Sequence, residues 1–584
     1  MAARRMLRRA VGSGRDEPGL YILAAKSREF RRNFPSYPEI DGFARGLILY
    51  NVGGSFPACG PPHEPRQTFL MSDNLPMHKF APDQRDRHFR TDHLKNDLGQ
   101  RAARGGAVTL TSQSLKFGIG IAATMLLARL LTPQDYGLIG MVWVITGFVA
   151  IFKDLGLSLV TIQREEINGK QISTLFWINV GLGLAVLLLT VIISPAVSWF
   201  YREPRLTLIT IGFAAGFLFN GLAVQHEALL RRQMRFTVLS VLEIGSLVAG
   251  IVVAIICAAL GARYWALVAN QLTQTLVYAS GVWIVCDWRP SRPARAADVR
   301  SMLSFGGNLT GFHVINYFAR NLDNLLIGKF WGSWQLGLYA KAYQLLLLPI
   351  DQINSPIAAV AIPALSRLND SPERYRSAYL RMLEKITMVT MPGMMFMIMT
   401  SDWIVAIALG QQWSDASRIF AVLGIAGMVQ PLANSTGWLF ISQGRTRDMF
   451  RWGMIGSVIM IASILAGLRW GGFGVATSYS LTFISLVLPL LIWFVGRSGP
   501  VRSRDFYRAS LPAACSAGFV FAALFGLRHA VTISHPVYGL AASALLTGAV
   551  TFLVLIVLPK GRAALLDVRQ SIALIATRNR LADV

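Results

Sequence analysis

The chain alternates about 14 hydrophobic segments with short loops, and the loops rich in Lys and Arg all fall on one side of them. That pattern leaves few folds open. Segments of roughly 18–25 residues suit a bilayer core of about 30 Å at about 1.5 Å rise per residue. The spans read as 106–131, 138–152, 172–193, 206–229, 237–258, 265–285, 302–328, 336–363, 382–408, 416–442, 452–470, 472–495, 509–527 and 536–558. Loops after even-numbered spans carry Lys153, Arg164 and Lys170; Arg231, Arg232 and Arg235; Arg289, Arg292, Arg295 and Arg300; Arg367, Arg374, Arg376 and Arg381; Arg445, Arg447 and Arg451; and Arg497, Arg502, Arg504 and Arg508. Loops after odd-numbered spans carry far fewer, Arg202, Arg205 and Arg263 among them. Basic loops stay in the cytoplasm, so both ends of the chain are expected there. A missed or false span would invert the alternation downstream, and no inversion occurs. The outer loops are all short, which leaves no room for an extracytoplasmic domain.

The formal charge of +25 on 584 residues invites a nucleic-acid reading. The position of the cations argues against it: they sit between apolar spans, where they set topology. Charged residues make up only 15% of the chain, too few to cover a soluble protein of this size. Cys59, Cys257, Cys286 and Cys515 form no disulfide framework and no metal-ligand spacing. No phosphate-binding loop, nucleophile elbow or HExxH motif is present, so no cofactor, no metal and no enzymatic chemistry are expected.

Residues 1–100 differ from the rest. They are polar, Arg-rich and Pro-containing, with no apolar core of a signal peptide. Two readings stand: a disordered cytoplasmic tail drawn to anionic lipid, or an extension upstream of the true start at Met71 or Met77. The second is favoured.

The string LARLLTPQDYGLIG at 127–140 is echoed by LIGKFWGSWQLGLYA at 326–340, aligning Arg129 with Lys329, Gly137 with Gly337 and Leu138 with Leu338. Each copy is a helix end, a tight turn and a helix start, six spans apart. The expected fold is therefore an all-α polytopic membrane protein with two parallel six-helix lobes around a central cavity, plus two extra C-terminal helices. The lobes are expected at 101–285 and 286–500, the extra helices at 501–558 and a cytoplasmic tail at 559–584.

Polar side chains within spans mark the cavity, because an ionisable group in lipid must face water or a partner. In the seventh span His313, Asn316, Arg320, Asp323 and Asn324 form a stripe on one helix face. Arg320 either meets an anionic ligand or pairs with Asp323 at i, i+3. In the first span Thr109, Ser112, Gln113 and Lys116 share a face; Lys116 either snorkels or lines the cavity. In the eighth, Lys341, Gln344, Gln352 and Ser355 share a face. Asn220 and Glu227 share one in the fourth span, and Gln430 and Asn434 flank Pro431 in the tenth. The candidate substrate cavity comprises Lys116, Gln113, Asn316, Arg320, Asp323, Asn324, Lys341 and Gln344. Glu243 and Asp323 are candidates for ion coupling. Cations at that depth suit a diphosphate or an acidic sugar.

The run SFGGNLTGFHVINYFARNLDNLLIGKFWGSWQLGLYAKAYQLLLLPIDQI at 304–353 resembles the mid-protein signature of bacterial polysaccharide exporters. So do ARLLTPQDYGLIGM, DLGLSLVTIQRE (154–165), ALLRRQMRF (228–236), LGQQW (409–413), SQGRTRDMFRWG (442–453) and GFGVATSYSL (472–481). In order along residues 100–500, these motifs are similar to the Wzx-type flippases of the polysaccharide transporter family. That family lies within the multidrug/oligosaccharidyl-lipid/polysaccharide exporter superfamily. The resemblance implies lobes that open alternately to either side. It implies transfer of undecaprenyl-diphosphate-linked oligosaccharide across the bacterial plasma (inner) membrane for lipopolysaccharide O-antigen, capsule or exopolysaccharide. Its partners would be that lipid-linked oligosaccharide, membrane lipid, a polysaccharide polymerase and chain-length or export proteins. Arg320, Asp323 and Lys329 fall in the signature ARNLDNLLIGK. A drug:cation antiporter of the same superfamily would want a carboxylate in the first span, where Lys116 stands instead. A glycan polymerase or ligase would want catalytic residues on a long outer loop. A peptidoglycan lipid flippase from a sister family is a further alternative.

Overall fold

A computed structural model describes residues 98–152, 156–164, 167–293, 300–533, 535–558 and 561–562. The N-terminal extension with Cys59, most of the 559–584 tail, and Lys153 and Arg295 lie outside the described residues, as do the side chains of His313 and Asn316. Among the described residues every regular element is helical. The helices run α1 Leu98–Leu130, α2 Pro133–Ala150, α3 Leu157–Gln163, α4 Gly169–Tyr201, α5 Arg205–Arg232, α6 Phe236–Ala259, α7 Trp265–Val285 and α8 Arg300–Ser366. They continue with α9 Pro372–Met399, α10 Ser401–Ala408, α11 Ser414–Ser442, α12 Thr446–Gly467, α13 Gly471–Thr482, α14 Leu488–Gly496, α15 Ser503–Ala530 and α16 Pro536–Val557. Helix α8 is two arms, 300–331 and 333–366, hinged at Gly332. Helices α13 and α14 are joined by a π-helical turn at Phe483–Val487. Nine segments among the described residues are long and apolar enough to cross a membrane, and the chain is a multi-pass membrane protein.

The two repeat copies close their turns with different chemistry. Thr132 caps α2: its hydroxyl accepts from the Asp135 N–H, and the Asp135 carboxylate accepts from the Thr132 N–H at 2.9 Å. Pro133 sits at the first helical position, where its missing N–H costs nothing. In the second copy the equivalent position is Gly332, whose φ of 77° reverses the chain without a cap.

Within each half, successive long helices pack as antiparallel pairs, α4 on α5, α6 on α7 and α9 on α11. Helix α15 instead lies parallel to α9, with Arg376 paired to Asp505 near their starts and Arg528 bonded to the Met399 carbonyl near their ends. Glycines set the close approaches. A Cβ at Gly183 would meet the Phe217 carbonyl at 2.8 Å, and one at Gly221 the Asn179 carbonyl at 2.7 Å. The α4–α5 seam is thus backbone against backbone, as expected where van der Waals packing must hold helices together in lipid.

The buried core forks. One apolar cluster joins both halves, drawing on Leu138, Met141, Tyr201, Leu206 and Ile209 from the first and Ile327, Leu336, Tyr339, Leu409 and Trp413 from the second. The end of the molecule nearer the basic loops has two separate clusters instead. One, around Leu157, Leu175, Phe176 and Trp288, belongs to the first half. The other, around Leu365, Tyr375, Leu439 and Phe506, belongs to the second. Helices α15 and α16 pack on α9 and α10, on the flank of the second half.

Candidate functional site between the two halves

At the joined end the halves are held by backbone contacts. A methyl on Gly137 would overlap the Ser333 carbonyl, and one on Gly337 would overlap the Pro133 carbonyl. The Arg129 guanidinium donates to the Ile407 carbonyl at 3.1 Å, and Lys329 donates to the Phe200 carbonyl. Gln412 and Trp413 donate to the Ala128 carbonyl at 2.6 and 2.8 Å. The Tyr317 hydroxyl donates to the Val144 carbonyl at 2.9 Å. In the loop beside Phe200, the Arg205 side chain bonds Glu203 at 2.8 Å and holds its carboxyl below the usual range.

Below this seal, α1 and the second arm of α8 flank a cavity of about 260 Å³. Phe117, Gly120, Ile121 and Thr124 line it from α1, and Lys341, Gln344, Leu345 and Leu348 from α8, with Leu409 above. Lys341 donates to Gln344 at 3.0 Å and lies 4.0 Å from the centroid of the Tyr136 ring. The ring stabilises the ammonium while leaving donors for a ligand.

Lys116 and Glu243 form an ion pair at 2.5 Å, joining α1 to α6. Glu243 also lies 3.7 Å from Arg231, which pairs with Glu227 at 2.7 Å. The four charges alternate, so the cluster is neutral and each charge has an opposite neighbour. Gln113, one turn before Lys116, is exposed.

Asp323 is buried, and its carboxylate accepts from the Tyr339 hydroxyl at 2.9 Å and from the Asn324 N–H at 2.8 Å. Among the described residues no ion pair joins it to Arg320, which is exposed and acts electrostatically on Tyr343 and Tyr479. The Asn324 side-chain carbonyl is buried without a hydrogen-bond partner. The seventh-span stripe therefore splits into a buried acid on a phenol and an open guanidinium.

Three groups escaped the sequence reading. Tyr339, Tyr343 and Tyr479 look like ordinary core aromatics until Asp323 is placed beside Tyr339. Arg231 reads as a topology cation but bridges two glutamates. Asp351, Asn354 and Trp438 line a second cavity; Ser355 and Asn434 on the same walls were the available signal.

The family described as polysaccharide biosynthesis protein matches residues 126–418, the stretch that holds the repeat, the seal and the α8 cavity. The chain belongs to that family. Relatives of this polysaccharide biosynthesis protein include the lipopolysaccharide biosynthesis protein WzxC of Escherichia coli (strain K12), 24% identical over 68% of this chain and 81% of the relative. The teichuronic acid biosynthesis protein TuaB of Bacillus subtilis (strain 168) is 26% identical over 65% of this chain and 78% of the relative. Among solved structures, the lipid II flippase MurJ in an inward closed conformation superposes with a TM-score of 0.61 at 13% identity, covering 76% of this chain and 97% of that one. That likeness gives the fold: two helical halves about a central cavity.

Proposed function

We propose that the protein carries an undecaprenyl-diphosphate-linked oligosaccharide from the inner to the outer leaflet of the bacterial plasma membrane by alternating access. The observation that carries this reading is the forked core, a cleft sealed at one end with Lys341 on its wall, in a member of a polysaccharide biosynthesis family. A lipid-linked sugar needs a wet path for its head group while its polyprenyl tail stays in lipid. Fixed cations such as Lys341 and the exposed Arg320 attract the diphosphate. Rocking of the halves about the sealed end then moves access from one face to the other. By the charge bias the open end faces the cytoplasm, as do both ends of the chain. Lipopolysaccharide O-antigen, capsule and exopolysaccharide are the polymers such a lipid feeds.

The test is a deletion strain in which the leaflet exposure of the lipid-linked oligosaccharide is probed with a membrane-impermeant lectin or glycosidase. The proposal expects the intermediate to accumulate facing the cytoplasm and surface polymer to vanish. An intermediate that reaches the outer leaflet unpolymerised would overturn it and favour a later, enzymatic step.

A further inference from the structure

A second cavity, about 410 Å³, lies towards the basic-loop ends of α8 and α11, in the second half alone. Asp351, Asn354, Ser355 and Ala358 line it from α8, and Asn434 and Trp438 from α11. Its volume lies within the roughly 300–1,000 Å³ typical of small-molecule sites. Its polar groups are idle. Both polar atoms of the Asn354 carboxamide are buried without a partner. Elsewhere in α8, Ser366 satisfies itself on the Ile362 carbonyl one turn back at 2.9 Å, but no such bond ties Ser355 to the described residues. Among the described residues no cation lies within 4 Å of Asp351. A buried amide without partners costs free energy, which a ligand hydroxyl that bonds it would recover.

The combination is specific. A carboxylate and two carboxamides accept and donate to adjacent hydroxyls, and an indole wall packs the C–H face of a pyranose. A phosphate is disfavoured, because the one charge lining the cavity is negative. We propose that this cavity is a glycan subsite for a neutral, hydroxyl-bearing sugar of the substrate. The inference rests on the lipid-linked oligosaccharide reading above. Asp351 stands ten residues beyond Lys341 on the same arm, about 15 Å along the helix. A diphosphate at Lys341 would thus leave its attached sugars extending towards Asn354 and Asn434.

The full-length protein in lipid nanodiscs tests this with two probes: undecaprenyl diphosphate, and the lipid-linked repeat unit extracted from the deletion strain. Wild-type protein is expected to bind the sugar-bearing lipid about tenfold or more tightly than the bare diphosphate. Asn354→Leu, alone or with Asn434→Leu, should abolish that difference by weakening only the sugar-bearing lipid. Asp351→Asn, which keeps an acceptor and adds no bulk, should lose part of it in a protein that remains monodisperse. Variants that keep the full difference, or that lose both probes equally, overturn the subsite. If wild-type protein binds neither probe, the substrate reading itself fails.

Discussion

Gly137 and Gly337 pack reciprocally: each leaves no room for a methyl against the carbonyl at the start of the other's helix, Ser333 for the first and Pro133 for the second. The offset of 200 residues holds for both glycines and both carbonyls. The repeat therefore packs against itself across the two halves, and that part of their contact is self-complementary as a two-fold contact must be. Arg129 and Lys329 follow the same relation, each crossing to a helix end in the opposite half.

Alanine at either glycine should break that seam, because backbone against backbone has no side chain to move aside. We expect Gly137→Ala or Gly337→Ala to destabilise by about 1–3 kcal/mol or more, as overpacking does. Surface polysaccharide should fall sharply. Gly118→Ala, where a Cβ meets nothing within 4 Å, should leave both melting temperature and export unchanged. Equal behaviour of the three variants would refute the seam.

The reciprocal cations act as latches on the closed end. Removing a hydrogen bond from a charged donor costs about 1.5–3 kcal/mol, enough to shift a closed-to-open balance at least tenfold. In a background with serine at the native cysteines, Ser333→Cys is nearly buried and should label slowly with a membrane-impermeant maleimide. Adding Lys329→Ala or Arg129→Ala should raise the labelling rate about tenfold. An unchanged rate would mean that these contacts do not hold the end shut.

Lys116 is paired with Glu243, so a loss on mutation has two possible causes, and a charge swap separates them. The variant Lys116→Glu with Glu243→Lys restores the attraction at the same site, with Arg231→Gln added so that the relocated ammonium does not face a guanidinium that stands 3.7 Å from Glu243. If Lys116 serves only as a structural partner, protein level and export both return. The cavity reading expects protein level to return and export to stay low, measured by immunoblot and surface polymer.

The helical membrane fold, its two halves and the repeat were legible because each rests on periodicities that read directly from the chain: hydropathy, loop charge and the 200-residue echo. Gly137 and Gly337 were even aligned from sequence, though that they touch was not, since an echo fixes equivalence and not distance. Side-chain partners were harder. The i, i+3 spacing of Arg320 and Asp323 suggests a pair, yet Asp323 turns to Tyr339 across the Gly332 hinge, whose geometry no spacing rule contains. Glu243 and Lys116 lie far apart in sequence, and only packing of α6 on α1 brings them together. The Asn354 cavity stayed hidden for the same reason, with its walls on α8 and α11.

The split between Arg320 and Asp323 yields opposite mutant signatures. Arg320 is exposed and supports no described hydrogen bond, so Arg320→Ala should leave protein level unchanged while surface polysaccharide is lost. Normal export in that variant would remove Arg320 from the transport path. Asp323 is buried, and Tyr339→Phe would take one of its two donors away. That leaves a buried carboxylate under-bonded, at a cost of about 1–3 kcal/mol, and should lower the melting temperature of the purified protein. Asp323→Asn is expected to be milder. Its carbonyl can accept from the Asn324 N–H while its amide donates to the Tyr339 oxygen, which reverses its role. A thermal melt in which Tyr339→Phe is neutral and Asp323→Asn severe would show that the acid, and not its hydrogen bond, holds the hinge.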